Sequence, residues 1–233
     1  WNTMGYSLIT TTLSSVAQPV LAGADDGKGR QLRVFRKMLR FTAFLSFPAM
    51  FGLALIAPEF VPLALREQWT DCVPYLQVLC VAGATIPVSQ QFSNLLVSRG
   101  RSSKFFIGTA GMMAAQLAII LGLYLTGHGV HTLICSIAAL QIAWMGLWFG
   151  MTRSEIRIST TDTLRDILPF AAAAGISVGA AWAASLAVEG MAAKLAVKSA
   201  VAVAVYCAVM KAAHAVVFKE CTDFLLSKIR RGK

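Results

Sequence analysis

From Phe105 to Thr152 the chain reads FFIGTAGMMAAQLAIILGLYLTGHGVHTLICSIAALQIAWMGLWFGMT, 48 residues without a single Lys, Arg, Asp or Glu. A helix crossing a bilayer needs about 20 apolar residues. This stretch therefore predicts two spans, near 103–126 and 131–151, joined by a hairpin at Thr126 to Thr132. A backbone in lipid must satisfy its own hydrogen bonds, and the alternating pattern of a barrel strand is absent, so the spans are expected to be helices.

Working outward, further charge-free runs occupy Trp1 to Ala24, Phe41 to Pro58, Cys72 to Ser98, Ile167 to Val188 and Ser199 to Met210. They extend the reading to seven spans: 1–22, 41–65, 73–98, 103–126, 131–151, 167–188 and 195–217. The fold class expected is an all-α, polytopic transmembrane bundle. Residues 1–151 are read as helices of one lobe, with a basic amphipathic loop at 24–40. Residues 152–233 are read as two additional helices and a basic tail.

The charges agree with this threading. Of 21 Lys and Arg residues, all but Arg66, Lys194 and Lys198 fall in every second gap: Lys28 to Arg40, Arg99 to Lys104, Arg153 to Arg165 and Lys211 to Lys233. Positive charge stays on the cytoplasmic side during insertion. The basic gaps are thus assigned inside, the poor gaps outside and the C-terminus to the cytoplasm. A net charge of +10 would suggest a nucleic-acid partner in a soluble chain, but with 57% hydrophobic and 14% charged residues the cations are topological anchors beside a phospholipid bilayer. The chain starts at Trp1 inside its first span, so it is expected to be the C-terminal fragment of a larger transporter-like protein.

Several residues interrupt the apolar pattern. Pro48 and Pro87 are expected to kink the second and third spans. Gly146 with Gly150, and Gly175 with Gly179, have the four-residue spacing that permits close helix approach. Trp144 and Trp148 are read as interface or packing aromatics, and Cys72, Cys80, Cys135, Cys207 and Cys221 as small packing residues without metal spacing. Glu59 is expected in a wet outer-leaflet position, and His128 and His131 in a solvated hairpin.

The candidate binding residues are amides and cations. Gln90, Gln91 and Asn94 lie within about one turn and should face protein or water rather than hydrocarbon. Gln116 and Gln141 add one amide each to the next two spans. Amides suit hydroxyl-rich ligands as both donors and acceptors, although interhelical hydrogen bonding serves each one singly just as well. Arg36 and Arg40 at the inner mouth, and Lys211 beside His214 in the last span, are the cations nearest a membrane-embedded ligand. No nucleophile triad, zinc spacing, phosphate loop or carboxylate cluster is present, which ranks an integral-membrane enzyme third and calls for no cofactor.

Pro19-Val20-Leu21-Ala22 followed by Asp26, the basic stretch to Arg40, and Phe47-Pro48 with Gly52 resemble the polysaccharide transporter family of Wzx-type flippases. Trp69 with Val73-Pro74-Tyr75-Leu76-Gln77-Val78-Leu79, and Asn94-Leu95-Leu96 leading to Arg99-Gly100-Arg101, look like that family's later helix junctions. The resemblance implies the last seven of fourteen helices in a two-lobed protein of the multidrug and toxin extrusion superfamily. It also implies an undecaprenyl-pyrophosphate-linked oligosaccharide as cargo, alternating access in the bacterial inner membrane, a missing N-terminal lobe and a polysaccharide polymerase as a further partner. An ion-coupled drug antiporter of the same superfamily is the alternative.

Overall fold

The computed structural model describes residues 28–156 and 158–212, all in helices or short connections with no strand among them. The helices are α1 (Lys28–Leu65), α2 (Val73–Gly83), α3 (Ile86–Ser98), α4 (Ser102–Leu125), α5 (Val130–Ile156), α6 (Thr160–Ser185) and α7 (Met191–Ala212), with a 3-10 turn at Glu67–Cys72. Six segments among the described residues are long and apolar enough to cross a membrane, with α2 and α3 together making one. The protein is a multi-pass helical membrane protein. The span expected at 1–22, the end of that at 195–217, His214 and Cys221 lie outside the described residues.

The span boundaries hold to within about four residues except that α5 runs on to Ile156 and α6 already starts at Thr160, and at two further places. The basic stretch ending at Arg40 is not a separate surface helix: it runs without interruption into the following span, giving α1 its 38 residues. Nothing between Arg40 and Pro48 breaks a helix, so the segment has no physical reason to stop. The span expected at 73–98 is two helices rather than one bent rod. Pro87 has no N–H to give the carbonyl of Gly83, so the helix stops, turns through Ala84 and Thr85, and restarts with the proline in its first turn.

Pro48 and Pro58 act differently, because α1 continues through both. Each leaves the carbonyl four residues earlier without its helical donor. Both carbonyls are recovered from other helices: Tyr206 Oη of α7 donates to Phe44 O at 2.8 Å, and Gln77 Nε2 of α2 donates to Ala54 O at 3.0 Å. Ser46 of α1 similarly donates to Ala84 O, at 2.8 Å, in the break between α2 and α3. Helix α1 is thereby tied to α7, to α2 and to the break between α2 and α3.

Helix α1 is the hub, packing on α2, α3, α6 and α7, while α5 packs on α2, α3 and α4. The main core lies around Phe35, Leu39, Phe47, Phe92, Leu95, Trp148 and Phe170. The chain reverses at Gly100 and Gly127, whose φ values of 67° and 68° favour a residue without Cβ. The basic stretches within 28–40, 99–104 and 153–165, and Lys211 in the last turn of α7, border the same end of the bundle, α3 to α4 and α5 to α6 being joined there by short connections.

Close helix approach occurs, but not at the expected glycines. A Cβ on Gly146, Gly150, Gly175 or Gly179 would meet nothing within 4 Å. Instead Trp148 stacks on Gly108, where a Cβ would come within 2.5 Å of the indole, and Trp144 covers Gly111 while its Nε1 donates to Gly108 O at 3.1 Å. The tryptophans are thus packing residues. Of the described cysteines Cys80 is buried, whereas Cys72 and Cys207 are exposed.

Candidate functional site

The amide run falls on α3, the half-helix freed by the Pro87 break. Gln91 and Asn94 are buried, and Gln90 is half-buried with its Nε2 donating to Asn94 Oδ1 at 3.3 Å. Gln91 Oε1, Asn94 Nδ2 and the nearby Ser89 Oγ are buried with no hydrogen-bond partner. Buried amides without partners are costly, by about 1 to 3 kcal/mol each. The expectation that these residues avoid hydrocarbon is met, and their hydrogen-bonding capacity is not used up internally. Gln116 on α4 and Gln141 on α5 are half-buried, and among the described residues no hydrogen bond joins either to the α3 amides. Lys211 is exposed in the last turn of α7.

Arg36 and Arg40 are committed to a group the sequence reading passed over. Asp166 of α6, 1% exposed, accepts from Arg36 Nε at 2.6 Å, from Arg36 Nη2 at 3.1 Å and from Arg40 Nε at 2.6 Å. Asp162, one turn earlier, stands 3.7 Å from Arg36. Two guanidiniums held by the carboxylates of Asp166 and Asp162 form a structural clasp, with little net charge left to offer a pyrophosphate. The signal was legible as two aspartates four residues apart just before an apolar run. A second clasp at this end joins Glu155 of α5 to Lys104 at 2.6 Å and Arg101 at 3.2 Å, both on the α4 side.

The largest departure concerns Glu59. It is not solvated: it pairs with Lys198 of α7, Nζ to Oε1 at 2.6 Å, and the two side chains are only 12% and 6% exposed. Lys198 Nζ also approaches Leu55 O at 3.4 Å, and Glu59 Oε2 has no partner. The sequence counted Lys198 with the few cations of the charge-poor gaps, at the edge of the span expected at 195–217, and it lies two turns into α7. Two cavities meet at this lysine. One, of about 480 Å³ between α1, α6 and α7, is lined by Phe44, Pro48, Gly52, Ser177, Val203 and Tyr206. The other, of about 540 Å³, is bordered by Pro58, Gln77, Gly175, Gly179 and Trp182. Gly175 and Gly179 therefore open space where closer packing was expected.

Residues 1–74, which include all of α1, match a family described as polysaccharide biosynthesis protein. The resemblance to Wzx-type polysaccharide transporters is borne out. Over 127 residues, 48% of the chain, it is 33% identical to the lipopolysaccharide biosynthesis protein WzxC of Escherichia coli K12, covering 26% of that protein. It is 37% identical over 95 residues, 41% of the chain, to an uncharacterized membrane protein in the cps region of Klebsiella pneumoniae, covering 20% of it. The teichuronic acid biosynthesis protein TuaB of Bacillus subtilis is 25% identical over 142 residues, 59% of this chain and 29% of that protein. The chain thus spans less than a third of the length of these relatives. No solved structure matches it.

Proposed function

We propose that this chain is the C-terminal portion of a Wzx-like flippase that moves an undecaprenyl-pyrophosphate-linked oligosaccharide from the cytoplasmic to the outer leaflet of a bacterial inner membrane. The observation carrying this reading is that the match to polysaccharide biosynthesis proteins covers all of α1, the helix on which α2, α3, α6 and α7 pack. The amides of α3 suit sugar hydroxyls, because each both donates and accepts. The bundle is read with its basic end and C-terminus in the cytoplasm, consistent with the retention of Lys and Arg on that side. Within residues 152–233, α6 and α7 act as an added helix pair docked on α1.

The protein binds and rocks, and catalyses no covalent step. The pyrophosphate requires cations from the opposing N-terminal lobe, because Arg36 and Arg40 are engaged by Asp166. A polysaccharide polymerase would receive the flipped unit.

Deleting the gene tests the proposal. Lipid-linked repeats should accumulate on the cytoplasmic face and surface polysaccharide should fall. Unchanged polysaccharide with altered drug resistance would overturn the flippase reading in favour of an antiporter. Replacing Gln90, Gln91 and Asn94 together by Ala should lower export while membrane insertion stays normal, and undiminished export would reduce those amides to structural contacts.

A further inference from the structure

We propose that Glu59 and Lys198 form a proton-binding latch: a proton on Glu59 releases Lys198 and lets α7 part from α1. The pair joins two helices distant in sequence, deep enough that Lys198 is 5% exposed. Its geometry is lopsided. Glu59 Oε1 holds the ammonium at 2.6 Å, while Oε2 is buried without any partner. The bare Oε2 is an unused acceptor position beside the ion pair. The ammonium beside it excludes a metal ion by like-charge repulsion and by occupying the other oxygen. Among the described residues no group of His, Cys, Asp and Glu is arranged to hold a metal. A proton needs neither space nor further ligands.

Proton uptake has a mechanical consequence. Glu59 passes from carboxylate to carboxylic acid, Lys198 keeps its own proton, and the pair changes from neutral to one net positive charge. An unpaired ammonium cannot remain among Leu55, Val178 and Ala202, which line the cavities beside it. It must reach water. Lys198 lies seven residues into α7, about 10 Å from its start, so its ammonium can snorkel to that end once it leaves α1. The two cavities lined by Lys198 leave room for the movement. The receiving segment of α1 is also weak: Pro58 and Pro62 flank Glu59, and the freed carbonyl of Ala54 is held by Gln77.

Few other charges can produce the same response. Among the described residues α2 and α3 contain no charged side chain, only Tyr75 and Cys80 being titratable, and the charges of α6, Asp162, Arg165 and Asp166, all lie in its first two turns at the opposite end of the bundle. The neighbouring groups are Lys194, Tyr206, Cys207 and Lys211 on α7, Glu189 before it, and Arg66, Glu67 and Asp71 after α1, with Arg36 and Arg40 at the far end. The latch does not depend on the cargo proposed above.

Spin labels at Leu63 of α1 and Met191 of α7, both exposed, would report the separation in the full-length protein in liposomes, with the reactive cysteines removed. In the wild type the distance should lengthen by several ångström as pH falls. Glu59→Gln should hold the long distance at every pH. The double variant Glu59→Gln with Lys198→Met, which has no stranded ammonium, should stay short throughout. A pH-independent distance in the wild type, a short distance in Glu59→Gln, or an unchanged pH response in the double variant would overturn the latch. If Glu59→Gln does not fold, the wild-type series and the double variant decide. A flippase assay plays no part in this readout, so failure of the latch and failure of the transport proposal remain separate results.

Discussion

Two helix pairs leave α1 and its neighbours in opposite styles. The hairpin of α4 and α5 is closed within itself by shape, Trp148 over Gly108 and Trp144 over Gly111, with an ion cluster at Glu155, and it meets the rest where α5 packs on α2 and α3, as Phe149 does on Phe92. Most of α4 faces outward, with Phe106 70% and Met113 65% exposed, as suits a surface whose solvent is lipid. The pair α6 and α7 is held on α1 by charge. Asp166 grips Arg36 and Arg40 near one end, and Glu59 grips Lys198 about 30 Å further along α1, with Tyr206 capping the Pro48 kink between them. Apolar packing gains little between helices already in hydrocarbon. Buried ion pairs confer position instead, and they can be undone by a proton where packing cannot.

The contrast predicts which variants harm which pair. Lys198→Ala should have the largest effect, about 3 to 5 kcal/mol, because it leaves Glu59 buried without a counter-charge. Thermal unfolding in detergent would measure it, and a loss under 1 kcal/mol would mean that water already reaches the carboxylate. Asp166→Ala should cost about 3 kcal/mol. It is expected to expose the linker at 157–159 to protease while α4 and α5 stay packed, and equal loosening of both pairs would break the distinction.

Smaller effects sharpen the comparison on the other side. Gly108→Ala should cost about 2 kcal/mol by forcing the Trp148 ring aside, visible as a red shift in tryptophan fluorescence; an unshifted spectrum would show that α4 simply slides. Tyr206→Phe should cost about 1 kcal/mol by orphaning the Phe44 carbonyl, read as faster amide exchange in α1 near Pro48. Glu155→Gln should cost about 0.5 kcal/mol, since its cationic partners are well exposed. A larger loss there would place a charge clasp in the hairpin as well.

How much was legible follows from the range of each interaction. The bundle, its spans and the disturbance at Pro87 depend on hydropathy and on a missing N–H, both local, and they are read directly from the residues, although the sequence suggested a bend at Pro87 where the structure has a break. The amides of α3 were also visible, because three polar side chains within one turn must avoid lipid. The partners were not. Asp166 and Lys198 looked like scattered charges because Arg36 lies 130 positions from the first and Glu59 lies 139 from the second. Gly175 and Gly179 failed for the complementary reason: small residues allow close approach, but only a neighbour's position decides whether anything approaches.

By itself the sequence determined that this protein crosses the membrane as helices, where they turn and which gaps carry the positive charge, since desolvation of backbone and charge acts on each segment alone. The tertiary structure decided which helix each buried charge faces. It turned Glu59 from an expected wet residue into half of an ion pair, and Arg36 and Arg40 from offered ligands into the anchors of α6, because the cost of a buried charge depends on the counter-charge that folding brings beside it.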